Sequence, residues 1–251
     1  MWEIQLVENW EQYPDSNQEL VHNWCLNNMK SLVFDLDGTL ADTSRDLICA
    51  ANNCFINQGI EPPLDHVRDK LTAFNGGKAM LKLGYNRIQG SAPESLIDNQ
   101  YQNLLDHYES TLDMYTTLYD KVQETLEEMK AHGWILGVCT NKPEKLALKL
   151  LESLGIMDQF KALTGADTYP FRKPDPRALT RTIEKMGGTN DKAILVGDSK
   201  TDLNTGRAAD IPVFLVGFDQ QGKNSFKHAP DEIFMSYEDF PKLIAEFTKG
   251  W

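Results

Sequence analysis

Residues 34–40 read Phe34-Asp35-Leu36-Asp37-Gly38-Thr39-Leu40, directly after a short apolar run. Two carboxylates two positions apart, released into a glycine turn at the end of a strand, form an expensive local arrangement. Alternate strand residues share a side, so Asp35 and Asp37 point roughly the same way and repel one another. Neighbouring carboxylates that both stay ionised need a cation, and a divalent metal is the usual one. A single Asp-Gly pair is an ordinary turn. Four fixed residues, at about 5–7% usage each, meet by chance in a chain this long only about once in a thousand. A calcium loop also opens with alternating acids, but it requires an acid or amide at position 39 and glycine at 40, where Thr39 and Leu40 stand.

Three later segments supply partners. A second apolar run, residues 134–139, delivers Thr140-Asn141-Lys142-Pro143. Arg172-Lys173-Pro174-Asp175-Pro176 follows, and a third run, residues 193–196, ends in Gly197-Asp198-Ser199-Lys200-Thr201-Asp202. Thr140 closes a strand just before a helix, so its hydroxyl and the Asn141 backbone N–H are placed for a phosphoryl oxygen. The same pair also reads as a plain helix N-cap. Lys173 is kept outside a helix by Pro174; a lone lysine is ordinarily solvated surface. Asp202, four residues after Asp198, shares its face of a helical turn, either supporting a site or serving as a helix-start acid.

The elements that position these residues alternate. Strands are expected at 31–34, 134–139, 162–165, 193–196, 213–216 and 232–235. Helices are expected around Val122, Leu126 and Met129, from Pro143 to just before Gly155, and over 176–186. Strand–helix alternation predicts a parallel, doubly wound α/β sheet with its ligands at the strands' C-terminal ends, where every segment above lies. Between the first strand and the rest, helical spacing runs over 44–57, 64–74 and onward from Pro93 through Ile97, Tyr101, Leu104 and Tyr108, with no strand signal. The division expected is therefore an N-terminal extension (1–28), an α/β core (29–43 and 114–251) and an inserted all-helical cap (44–113). Residues 75–77 read as a turn between cap helices.

Taken together, from about Met29 to the C-terminus, the chain resembles the haloacid-dehalogenase-like hydrolases, a family mostly of magnesium-dependent phosphatases with a Rossmann-like core. All four family motifs occur in order. The resemblance implies that Asp35 is a nucleophile forming an aspartyl-phosphate and that Asp37 is the acid/base, protonating the leaving alkoxide and then deprotonating water. It also implies that Lys173 neutralises the phosphoryl oxygens with Thr140 and Asn141 beside it. Mg2+ is then held by the Asp35 and Asp198 carboxylates and the Asp37 backbone carbonyl, with Asp202 orienting metal waters or Lys173. An aspartate at position 37 sets the chain apart from the dehalogenases and the phosphonate-cleaving branch. Asp120 stands where relatives usually show glycine. The pattern is nearest the phosphoglycolate phosphatases, sharing Asp42-Thr43, Gly165-Ala166-Asp167-Thr168 and His228-Ala229-Pro230-Asp231. That implies a small-molecule phosphate ester as substrate, 2-phosphoglycolate first. Two alternatives are a sugar-phosphate mutase of the β-phosphoglucomutase type and a catalytically silent binding domain. The first is disfavoured because no histidine occurs between Asp35 and His66, the second because every aspartate and the lysine are kept. In the cap, Gly76 and Gly77 are placed to approach the substrate's far end, and Lys78 is the nearest cation for a substrate carboxylate.

Composition narrows the classes further. The 251 residues are 41% hydrophobic and 25% charged, as in ordinary globular proteins. The net charge of −12, from 25 basic and 37 acidic side chains, argues against a broad nucleic-acid surface. No stretch approaches the roughly 20 apolar residues of a membrane span. Cys25, Cys49, Cys54 and Cys139 lack zinc-type spacing and read as buried free thiols in a reducing cytoplasm. Residues 1–28 are acidic and rich in tryptophan, which is not a signal peptide; they are expected to form a partly ordered surface segment without a catalytic role.

Overall fold

The structure, a computed structural model, describes residues 29–218 and 230–251. The expectations for residues 1–28, and for His228 and Ala229, fall outside them. Six strands form one parallel sheet: β1 (Lys30–Phe34), β4 (Trp134–Cys139), β5 (Ala162–Thr164), β6 (Ala193–Gly197), β7 (Val213–Val216) and β8 (Glu232–Phe234), in the order β5-β4-β1-β6-β7-β8. The order reverses at β1, which pairs with β4 on one side and β6 on the other.

The near-continuous apolar strands follow from burial on both faces. On β1, Leu32 and Phe34 belong to one hydrophobic cluster and Val33 to the other; on β6, Ile194 and Val196 part from Ala193 and Leu195 in the same way. The first face is covered by α5 (Val122–Ala131), α6 (Glu144–Ser153) and α9 (Phe240–Phe247). The second is covered by α7 (Pro176–Met186) and α8 (Lys200–Ala209). This is the doubly wound arrangement that strand–helix alternation predicts. Next to Asp120, the left-handed backbone falls at Lys121, with φ of 64°.

Between the short strands β2 (Ala41–Asp42) and β3 (Thr117–Leu118) the chain is helical: α1 (Ser44–Ile56), α2 (Lys70–Phe74), α3 (Gly77–Gln89) and α4 (Glu94–Ser110). Two details differ from the sequence reading. Helix α2 begins at Lys70 rather than Leu64, because Asp65 takes the Val67 and Arg68 N–H groups and Asp69 takes that of Asp65, holding a turn in place of a helix. Residues 75–77 form a turn whose last member already starts α3, with Gly76 as its left-sided cap at φ 93°. Cys54 and Cys139 are buried as expected, whereas Cys49 is exposed.

The two chain crossings between insert and core are fastened together. β2 and β3 pair antiparallel, an element absent from the sequence reading. Beside them the buried Asp46 accepts from the Tyr115 and Thr116 N–H groups (2.9 and 2.8 Å) and from Thr116 Oγ1 (2.7 Å). Replacing Asp46 by Ala leaves buried backbone donors without a partner. Asp46→Ala should therefore lower unfolding stability by about 3 kcal/mol in chemical denaturation; a loss below about 1 kcal/mol would show that the clamp does not hold the crossing.

Candidate active site

Asp35 directly follows β1, and its N–H donates to the Val196 carbonyl at 2.8 Å. The chain then turns over residues 36–41, with the Leu40 and Ala41 N–H groups returning to the Leu36 carbonyl. Gly38 is required twice in this turn. Its φ is 82°, and a Cβ there would stand 2.6 Å from Asp198 Oδ2. Gly197 is likewise obliged by close approach, since a Cβ would lie 2.3 Å from Asp202 Cγ. Glycine at both positions lets three acidic residues from two strand ends converge. One carboxylate oxygen each from Asp35, Asp198 and Asp202 lies within 4.8 Å of the others.

Lys173 is the counter-charge beneath them. Its buried ammonium donates to Asp202 Oδ1 at 2.5 Å and stands 3.0 Å from Asp35 Oδ1. The latter contact is an ion pair off hydrogen-bonding alignment, so Asp35 Oδ1 is buried without a hydrogen-bond partner. Asp202 also forms a capping box with Ser199 at the start of α8, which is its reading as a helix-start acid. The Asn141 side-chain amide donates to the Lys173 carbonyl at 2.9 Å and fixes that loop. Thr140 is not an N-cap: Pro143 occupies that position of α6, while Thr140 Oγ1 accepts from the Lys142 N–H.

The charges are unevenly balanced. Burial pushes the Asp35 carboxyl up to about 6, against the pull of Lys173. Burial, then Asp202 and Asp35, hold Asp198 well above the ordinary carboxylate range. For Lys173 burial acts downward, but Asp202 and Asp35 outweigh it and keep it protonated. Three close carboxylates facing one ammonium, with a buried oxygen left unbonded, form a donor set that fits a hard divalent cation; Asp35 and Asp198 are the ones whose oxygens the protein leaves free for it.

Asp37 lies apart, toward the insert. Its Oδ1 accepts from Thr43 Oγ1 at 2.6 Å and from Lys142 Nζ at 2.7 Å. Between this group and the triad opens a cavity of about 150 Å³, lined on the core side by Asp35, Asp37, Thr140, Asn141 and Lys173. The insert roofs it with Phe74, Gly76, Gly77, Tyr101 and Tyr108. A volume of this order admits a ligand on the scale of benzene, not a macromolecule.

The family model of the haloacid dehalogenase-like hydrolases matches residues 32–216. Phosphoglycolate phosphatases of Mesorhizobium japonicum and Agrobacterium fabrum are 35% and 37% identical to the chain, over 86% and 84% of it and 94% and 89% of their own lengths. The chain belongs to the haloacid dehalogenase-like hydrolases. It is a phosphatase-type enzyme of that family. A crystal structure described as a predicted phosphoglycolate phosphatase, from Haemophilus somnus 129pt, superposes with a TM-score of 0.75 at 26% identity, covering 86% of this chain and 98% of that one.

Within this hydrolase, Asp35, Asp37, Thr140, Asn141, Lys173, Asp198 and Asp202 all gather at one end of the sheet. Gly76 and Gly77 reach the cavity, but Lys78 does not. As the second residue of α3 it turns outward, pairing with Asp98 of α4 at the surface and lying over the Tyr101 ring. The cation that does line the cavity from beside the insert is Lys142, which the sequence reading passed over although it stands in the same segment as Thr140 and Asn141. Tyr108 was visible only as an apolar helical position.

Both Asp35 and Asp198 have folded values raised above the ordinary 3.8. Each therefore contributes stability below about pH 4 that is lost as pH rises through its folded value, for Asp35 near 6. In chelator, Asp198→Asn should be more stable than wild type at pH 8, with the gap closing toward pH 5. Magnesium should raise the melting temperature of wild type far more than that of the variant. Equal magnesium shifts in both proteins would exclude Asp198 from cation binding.

Proposed function

We propose that the enzyme is a magnesium-dependent phosphomonoesterase acting on a small metabolite through an aspartyl-phosphate, with 2-phosphoglycolate as its substrate. The observation that carries this reading is that two carboxylates with unlike partners line one small cavity. Asp35 pairs with Lys173, while Asp37 is held by Thr43 and Lys142.

In this reading an Asp35 oxygen attacks phosphorus as the bond from phosphorus to the ester oxygen breaks, and Asp37 gives its proton to that departing oxygen. Asp37 then takes a proton from water. The water oxygen bonds to phosphorus, the bond to Asp35 breaks, and inorganic phosphate leaves. Lys173, with the Thr140 hydroxyl and the Asn141 N–H, balances the phosphoryl charge. A divalent cation bound by Asp35, Asp198 and the Asp37 backbone carbonyl would add positive charge at the phosphoryl oxygens and stabilise the ionised aspartates. The helical insert acts as the cap, excluding water and large esters.

The relatives named as phosphoglycolate phosphatases, which align over most of their length, support the substrate. The mutase alternative lacks support, since no histidine lines the cavity among the described residues.

The decisive experiment is hydrolysis of a panel of metabolite esters with and without magnesium. Phosphoglycolate should lead, and excess chelator should abolish turnover. A panel in which sugar phosphates match it would remove the substrate. Asp35→Asn should remain folded and retain under about 1% of wild-type turnover, because an amide cannot attack phosphorus. Higher activity in a folded variant would exclude Asp35 as nucleophile.

A further inference from the structure

Lys142 is the strongest unassigned feature of the site. It is 6% exposed, yet its ammonium sits where core and insert meet, 2.7 Å from Asp37 Oδ1 and 4.4 Å from the ring centroid of Tyr108 on α4. An ammonium has three donors, and Asp37 Oδ1 takes one of them. Tyr108, 1% exposed and lining the same cavity, carries a hydroxyl without a hydrogen-bond partner. A buried cation with donors to spare, next to a buried hydroxyl that it faces without a well-aligned hydrogen bond, is costly unless a ligand completes the pair.

Substrate geometry places that ligand. The acid must reach the oxygen that leaves phosphorus. In a phosphorylated 2-hydroxy acid the carboxylate carbon is two bonds beyond that oxygen, so a group recognising the carboxylate has to stand immediately beside the acid, on the side away from the phosphoryl pocket. Lys142 stands beside Asp37 and against Tyr108 of the insert, while the other cavity-lining lysine, Lys173, is committed to Asp35 and Asp202. Lys78, at the surface with Asp98, is not placed to do so.

We infer that Lys142 and Tyr108 form the subsite for the substrate's carboxylate, so that one ammonium bridges the acid Asp37 and the anionic end of the leaving group. This rests on the phosphoglycolate reading and adds to it the residues that select a carboxylate. It also explains why selection involves the insert: Tyr108 arrives on α4, Lys142 from the core, and both are in place only with the insert seated.

The test compares 2-phosphoglycolate with ethyl phosphate, which carries a methyl group in place of the carboxylate, as a ratio of kcat/KM in wild type, Tyr108→Phe and Lys142→Met. Tyr108→Phe removes only an unpartnered hydroxyl and should fold normally; it should lower the ratio about tenfold. Lys142→Met disturbs Asp37 and slows both esters, but should lower the ratio about a hundredfold. If both variants lose activity on the two esters by the same factor, Lys142 merely positions Asp37 and the subsite is overturned. Should Lys142→Met fail to fold, Tyr108→Phe decides alone, an unchanged ratio refuting the subsite. If wild type itself shows no preference for the carboxylated ester, the substrate reading falls first, and that result is distinct from a preference that survives both substitutions.

Discussion

Like charge confined in a small space governs this molecule. Carboxylate oxygens of Asp35, Asp198 and Asp202 fall within 4.8 Å of one another around a single buried ammonium. Two like charges at about 4 Å repel by roughly 4 kcal/mol at the effective dielectric of a protein site. The surrounding fold has to impose this arrangement. It does so with strand ends that cannot shift without breaking the sheet, with two glycines whose missing side chains admit the carboxylates, and with fixed donors. Ser199 occupies one oxygen of Asp202, Lys173 the other, and Asn141 anchors the carbonyl of Lys173. Asp35 and Asp198 are left under-compensated, which is the feature that the proposed cation, and with it a phosphoryl group, would answer.

The second ionic group belongs to the boundary between core and insert. Lys142 and Asp37 meet there beneath Tyr108, while outside, Glu109 of α4 pairs with Lys145 and Lys149 of α6. The outer pairs are exposed and contribute little individually. The inner one is buried and sensitive to geometry. The Asp46 clamp and the β2–β3 pairing hold the two crossings together while leaving the far end of the insert attached only by side chains.

Legibility in the sequence followed this division. Asp35, Asp198, Thr140 and Lys173 occupy the ends of apolar runs or proline-punctuated loops, so their placement depends on strand register and local turn chemistry, which a sequence displays. The roof of the cavity depends on how helices far apart in sequence pack. Tyr108 carried only a helical-periodicity signal, and its neighbour Lys142 lies 34 positions further along the chain. Lys78 shows the opposite error. Adjacency to Gly76-Gly77 placed it near the cavity, but the glycine pair opens a helix, and the direction of the second residue of α3 carries its side chain outward to Asp98. The Lys70 start of α2 was hidden because Asp65 and Asp69 trade helix for side-chain turns, a competition that apolar spacing does not report.

These two sources of structure carry unequal freedom. Residues of the triad are fixed by backbone: a Cβ at Gly38 or Gly197 collides with a carboxylate, and Asp202 both caps α8 and holds Lys173, so substitution at any of them disturbs the others. The roof is made from side chains of insert helices, none of them part of the sheet. Phe74, Tyr101 and Tyr108 can change in size and polarity while the sheet, the glycines and the buried lysine stay as they are. In the proposed reading the core fixes the reaction, and the insert sets which ester is admitted to it. Lys142 is the exception, because it answers to both: Asp37 constrains its ammonium from the core and Tyr108 from the insert. Under the proposed mechanism, a residue so placed would couple the identity of the leaving group to the position of the acid that protonates it.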